Sequence, residues 1–173
     1  MLEGKRIIIL AEEGFEDVEL IEPLRAMKNE GAKVTIVGSG LKETYRGKKV
    51  TATVRADASA EMIKVEDFDA VIVPGGYAPD KMRLHQSMID LVRKANEANK
   101  VIAAICHGPQ LLISADIVRG RRLTSWPSIA VDLKNAGAEW IDLPVVRDGN
   151  IITSRRPADV PRFNKAIIEA LGG

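Results

Sequence analysis

Short apolar runs alternate along this chain with stretches whose apolar positions recur at helical spacing. Arg6 to Ala11 is an apolar run that reads as a strand buried on both faces. The loop Glu12 to Asp17 follows, with Asp17 placed as a helix N-cap. Val18, Leu20, Ile21, Leu24 and Met27 then mark one helix face, and Glu30-Gly31 supplies its stop. Lys33 to Val37 is a second strand. The chain thus opens β-α-β, a unit that is right-handed and parallel almost without exception.

Gly38 to Ser59 breaks the pattern. Glycine turns at Gly38-Ser39-Gly40 and Gly47 bracket Thr44-Tyr45 and Val50 to Val54, whose alternation predicts a small antiparallel insertion. Ala60 to Glu66 predicts a short helix. Ala70 to Val73 is a third core strand running into Pro74-Gly75-Gly76, and Ser87 to Asn99 is a helix with Met88, Leu91, Val92 and Ala95 on one face. Val101 to Ile105 is a fourth core strand. It passes through Cys106-His107-Gly108-Pro109 straight into Leu111, Leu112 and Ile113, which suit a helix; strand, abrupt turn and helix in so few residues is the layout of a nucleophile elbow. Beyond Gly120, Arg122 to Ser125 reads as a strand and Ile129 to Asn135 as a helix closed by Gly137. Pro144 to Thr153 reads as a hairpin with Asp148-Gly149 in a type I′ tip, and Pro161 to Leu171 as the closing helix with Phe163, Ala166, Ile167 and Leu171 inward. These elements predict one domain over residues 1–173, an α/β sandwich with a mostly parallel sheet. Ligands of such sheets bind beyond the carboxyl ends of the strands.

Composition narrows the function classes. With 173 residues, 46% hydrophobic and 28% charged, the chain is long and apolar enough for a sizeable core. A net charge of +1 gives no bulk reason to expect nucleic acid or a membrane as partner. The apolar run Ile7 to Ala11 is too short for a signal peptide or a membrane span. One cysteine excludes an internal disulfide and fits a reducing compartment, so a cytoplasmic location is expected.

Three loops at strand ends, Glu12 to Asp17, Pro74 to Asp80 and Cys106 to Pro109, can converge on one sheet edge. Free cysteine is often a small buried hydrophobe. Cys106, however, ends a strand and opens a helix, where unpaired N–H groups favour thiolate, and this weighs toward a reactive role. His107 is either its proton acceptor or a shaper of the elbow, since adjacent side chains at a sharp turn can point apart. His85, in a charged loop, reads as solvated. The acidic run Glu12 to Glu19 reads mainly as a solvated helix start. Glu16, flanked by Phe15 and Val18, is the one that can turn inward to meet the thiol with a raised pKa. Gly75-Gly76 is either a tight turn or a source of bare N–H donors for an oxyanion. Tyr77 is a candidate pocket wall, Trp126 is either a pocket wall or a core residue, and Arg155 and Arg156 either attract an anionic substrate or merely solubilise. There is no Gly-Lys-Ser/Thr phosphate loop, no G-x-G-x-x-G after the first strand, and one Cys with two His makes no spaced zinc set, so no cofactor or metal is expected.

Ala104-Ile-Cys-His-Gly-Pro-Gln-Leu-Leu-Ile-Ser-Ala115 resembles the signature of PfpI-like proteins, within the class I glutamine amidotransferase-like superfamily. Phe15-Glu16-Asp17-Val-Glu19, Val73-Pro-Gly-Gly-Tyr-Ala-Pro-Asp80, Asn135-Ala-Gly-Ala138 and Thr153-Ser-Arg-Arg-Pro-Ala-Asp159 resemble further family motifs, so the likeness runs along nearly the whole chain. It implies a flavodoxin-like three-layer α/β sandwich with Cys106 as nucleophile. Glu16 would be the buried acid bonded to its sulfur, and Gly76 with the His107 N–H the oxyanion hole. An acidic residue from a neighbouring subunit would orient the histidine; the matching position is Asp80, one methylene shorter than the Glu relatives often carry. It further implies homodimers or hexamers, and activity as a cysteine peptidase, a cofactor-free glyoxalase, a deglycase or a stress chaperone. The expected partner is therefore a small carbonyl compound or a peptide. The competing reading is a redox sensor in which Cys106 is oxidised without turnover. Amidotransferase chemistry is disfavoured because no histidine follows His107.

Overall fold

A computed structural model describes residues 1–172. In chain order the elements are β1 (Arg6–Leu10), α1 (Asp17–Asn29), β2 (Lys33–Gly38), β3 (Thr44–Arg46), β4 (Thr53–Arg55), β5 (Ala58–Ser59), β6 (Ala70–Val73), α2 (Ala78–Met82), α3 (Gln86–Glu97), β7 (Val101–Ile105), α4 (Pro109–Ser114), β8 (Arg122–Leu123), α5 (Ala130–Asn135), β9 (Glu139–Trp140), β10 (Val145–Asp148), β11 (Ile151–Ser154) and α6 (Val160–Gly172). Seven strands make one sheet in the order β10-β11-β7-β6-β1-β2-β5, parallel except for β10, which is antiparallel to β11. The central order β2-β1-β6-β7-β11 is that of a flavodoxin-like fold. Its strand order reverses beside β1, and ligands of such sheets sit at that crevice.

The core strands read as continuous apolar runs because helices cover both faces. Ile7, Ile8, Ile9 and Leu10 of β1 are fully buried, as are Ile72 and Val73 of β6 and Ile102 to Ile105 of β7. Each such aliphatic side chain contributes about 1.5–3 kcal/mol. Helices α1 and α6 pack together on one face, where Leu20, Met27, Phe163 and Ile167 are buried; α3 and α4 pack together on the other, with Met88, Val92, Leu111 and Leu112 inward. No helix among the described residues is long and apolar enough to cross a membrane.

Several local expectations change. Asp17 does not cap α1. It is the first helical residue, Glu16 holds the cap position without a side-chain bond, and the Asp17 carboxylate accepts from Thr51 Oγ1 and, at 3.5 Å, from the Lys49 N–H. The predicted helix over Ala60 to Glu66 is two 3₁₀ turns, Ala60–Met62 and Val65–Asp67. The antiparallel insertion is present as β3 with β4, but Val50 lies in the turn at φ 60°, and Ala58–Ser59 joins the main sheet edge, parallel to β2. The strand expected over Arg122 to Ser125 is present only at Arg122–Leu123, β8, which pairs with β9 in a separate ribbon. The β10–β11 pairing Asp148↔Ile151 leaves Gly149-Asn150 as the loop. Gly149 alone has positive φ (59°), which is type II′ rather than the type I′ expected with Asp148 at its centre.

Candidate active site

The site is assembled by backbone pairing between loops. After β1, the Phe15 segment is laced to its neighbours on two sides. The Glu16 N–H donates to the Gly75 carbonyl (3.1 Å) and the Tyr77 N–H to the Gly14 carbonyl (2.8 Å). The Lys48 N–H donates to the Phe15 carbonyl (2.8 Å) and the Gly14 N–H to the Arg46 carbonyl (2.8 Å). Phe15, fully buried, anchors this three-way junction. The glycines are required here. A Cβ at Gly76, itself at φ +78°, would stand 2.5 Å from the Glu16 nitrogen, and one at Gly75 would meet the Glu19 carboxyl at 2.5 Å and Cys106 Cβ at 2.7 Å.

Cys106 sits at the elbow between β7 and α4 with φ 63°, a left-handed conformation that non-glycine residues adopt at a cost. The turn is held because the Cys106 N–H donates to the Ser154 carbonyl (3.0 Å), its carbonyl accepts from the Trp126 N–H (2.9 Å), and the Gly108 N–H donates to the Ile105 carbonyl (2.8 Å). Its thiol is nearly buried, and the backbone N–H groups of His107 and Gly76 both face the sulfur. His107 Nδ1 lies 3.5 Å from Sγ. His107 is half-buried, and burial, then the nearby Lys48 ammonium, lower its pKa. The imidazole is therefore neutral near pH 7 and has a free lone pair for a proton.

The carboxyl that reaches the thiol is Glu19, not Glu16. Glu19 is fully buried, its Oε1 accepts from the Gly75 N–H (2.9 Å), and it lies beside Cys106, since a Cβ at Gly75 would touch both; among the described residues its Oε2 has no partner. Burial, partly opposed by the Gly75 N–H, pushes its pKa from an ordinary 4.5 up to about 8. Glu16 turns the other way, its carboxylate 3.0 Å from Lys48 Nζ and 3.6 Å from Lys49 Nζ. Helix geometry explains the exchange. Glu19 falls on the inward face of α1 with Leu20, Pro23 and Met27, whereas Glu16 precedes the helix and swings toward the insertion.

The thiol also departs from expectation. Burial, followed by the Glu19 charge, pushes the Cys106 pKa up to about 12 against the opposing pull of the His107 and Gly76 N–H groups. The helix that follows has only six residues, so its dipole is weak. Glu19 and Cys106 titrate as a pair: with Glu19 protonated, the sulfur loses a negative neighbour and gains a hydrogen-bond donor, and it ionises more readily.

A cavity of about 550 Å³ opens above the sulfur, lined among others by Glu16, Lys48, Gly76, Tyr77, Asp80 and Trp126. Of the residues singled out in the sequence, Cys106, His107, Glu16, Gly76, Asp80, Tyr77 and Trp126 all meet there. Tyr77 is mostly exposed and has the Lys48 ammonium 5.3 Å from its ring centre; Trp126 stacks on His107 with ring centres 6.2 Å apart. Asp80, in α2, lines the cavity of its own chain. His85 is not simply solvated, since its Nε2 lies 3.6 Å from the buried Glu12 carboxylate. Glu19 and Lys48 do not stand out in the sequence as site residues. The signals were a carboxyl at an inward helix position and a Lys48-Lys49 pair set opposite an acidic run.

A family model for the DJ-1/PfpI family matches residues 5–170. A deglycase of Pyrococcus abyssi is 42% identical over 166 residues, covering 96% of this chain and 99% of that one. The protein/nucleic acid deglycase 2 of Escherichia coli is 41% identical over 170 residues, covering 98% and 99%. Among solved structures, Drosophila melanogaster DJ-1beta superposes with a TM-score of 0.90 at 32% identity, covering 98% of this chain and 91% of that one.

Proposed function

Because the chain belongs to the DJ-1/PfpI family, we propose that it is a cysteine-dependent enzyme in which Cys106 attacks a carbonyl carbon. Its substrates are taken to be glycation adducts, small 2-oxoaldehydes such as methylglyoxal, and short peptides. The observation that carries this reading is the convergence on one sulfur of a neutral imidazole at 3.5 Å, a buried carboxyl and two backbone N–H groups. His107 Nδ1 takes the thiol proton as the S–C bond forms. The carbonyl oxygen becomes an oxyanion beside the N–H groups of Gly76 and His107. Glu19, protonated at neutral pH, supplies or receives the proton that the hemithioacetal exchanges. With a 2-oxoaldehyde, moving the aldehyde C–H proton to the neighbouring carbonyl carbon leaves a thioester, which water cleaves to a 2-hydroxy acid and free thiol. With a peptide, the C–N bond breaks, the amine leaves with a proton, and water cleaves the thioester left on Cys106; with a glycated amine, the amine leaves with a proton from the carbon that the sulfur attacks, and the resulting hemithioacetal follows the same route to a 2-hydroxy acid. No cofactor enters any step.

The test is a side-by-side assay on methylglyoxal, a glycated amine or thiol, and a fluorogenic short peptide, with Cys106→Ala and Cys106→Ser as controls. Turnover of at least one substrate should vanish in both variants while the fold survives. Full activity in Cys106→Ala on every substrate that the wild type uses would overturn the reading. A second reading, oxidation sensing by Cys106 in stress protection, is favoured by the partnerless Glu19 Oε2, which is free to bond a sulfinate oxygen. Mass gain at Cys106 under mild peroxide, with no product from any substrate, would select it. We further propose that the protein works as a homo-oligomer, with Asp80 approaching a neighbouring subunit's His107. Sedimentation should then give at least a dimer, and a strict monomer at assay concentration would remove that part.

A further inference from the structure

Arg155 and Arg156 are adjacent in sequence and opposite in circumstance. Arg155 is fully engaged: its guanidinium donates to Asp159 at 2.9 Å and to Asp142 at 2.9 Å. Arg156 has no such partner. Its guanidinium lies over the Trp126 ring, 5.6 Å from the ring centre; its Nε is buried without a hydrogen bond, and among the described residues no carboxylate pairs with it. Trp126 lines the Cys106 cavity, and so does Pro157, the residue after Arg156. Trp126 in turn stacks on His107, whose Nδ1 is 3.5 Å from the sulfur. A partly buried guanidinium with unused donors thus stands one aromatic ring away from the reacting centre.

Resting on the carbonyl-attack reading above, we propose that Arg156 makes this cavity selective for carbonyl compounds that carry a carboxylate, such as 2-oxo acids and glycated amino acids or peptides with a free carboxyl end. Arg156 stands behind Trp126 rather than in the cavity wall, so it acts through its charge across the ring, and that charge is permanent because a guanidinium stays protonated. The charges that do line the cavity do not cancel this. Lys48 and Lys81 add positive potential at its wall, Glu16 is already bridged by Lys48 and Lys49, and Asp80 is the one remaining carboxylate facing it. Low-dielectric walls concentrate what field remains. Arg156 acts here as a specificity-determining residue; the chemistry stays with Cys106, His107 and Glu19.

The experiment uses the cysteine as its own reporter. Iodoacetate and iodoacetamide are nearly isosteric, and each alkylates the same way: the Cys106 sulfur forms a bond to carbon and iodide leaves. Only iodoacetate carries the carboxylate. The rate ratio of iodoacetate to iodoacetamide at Cys106, read by intact mass, should exceed that of a free thiol. It should fall about three- to tenfold in Arg156→Gln and be largely kept in Arg156→Lys. An unchanged ratio in Arg156→Gln overturns the proposal. If Arg156→Gln does not fold, the wild-type ratio is followed as salt is raised to about 0.5 M, where screening should bring it toward the free-thiol value. A ratio that does not move with salt overturns it equally. Alkylation needs no turnover, so the loss of this proposal and the loss of the catalytic reading are separable results.

Discussion

At the scale of single residues, the site turns on which groups hold protons. Glu19 carries a pKa raised from 4.5 to about 8 by burial. Between those values the folded chain keeps a proton that the unfolded chain releases, so this residue makes stability fall as pH rises through that window. Thermal melts across it should show a steeper loss for the wild type than for Glu19→Gln; parallel curves would mean that Glu19 is ionised when folded. The sequence placed Cys106, His107 and the glycines at one strand edge, because apolar runs and turn residues mark where strands end. It did not separate Glu16 from Glu19. Three residues of spacing decide which carboxyl faces the core only once the first helical residue is known, and Asp17, a cap by residue type, is already helical. The elevated thiol pKa was equally out of sight, because it comes from burial by residues distant in sequence.

At the scale of elements, the four core strands and the helices between them were legible because each carries a complete hydrophobic period. What was not legible is short or non-local: the helix α2, the 3₁₀ turns, and the separate β8–β9 ribbon formed by two-residue strands. Pro23 lies inside α1, where it lacks the N–H that would reach the Glu19 carbonyl, yet packing on the core carries the helix through. The β3–β4 insertion is the element that delivers Lys48 to the cavity, and Asp17 fastens it to α1 through Thr51 and the Lys49 N–H. Asp17→Ala should therefore lower hydrogen-exchange protection across residues 44–55 and raise KM while kcat changes less. Unaltered exchange would show that the fastening lies elsewhere. The glycine loop after β6 is less forgiving. Gly75→Ala forces its Cβ onto Glu19 and Cys106, so it should cost about 1–3 kcal/mol and most of the turnover, as read by chemical denaturation and the substrate panel.

At the scale of the whole molecule, a mostly parallel sheet covered on both faces gathers three loops, far apart in sequence, at the carboxyl ends of β1, β6 and β7. Their positions depend on a dry core. Ile8→Ala, at a fully buried place in β1, should lower stability by about 2–5 kcal/mol, and any fall in activity should track the folded fraction rather than the chemistry. A drop in activity in a fully folded sample would show instead that β1 transmits its packing directly to the site. The elbow itself sets local folding against activity. A residue at φ 63° is more comfortable as glycine than as cysteine, and the side chain at that position is small. A chain bearing Cys106→Gly should fold at least as readily as the wild type and do no chemistry. Foldability alone favours glycine at that angle, so a cysteine held there is what the proposed nucleophilic role requires.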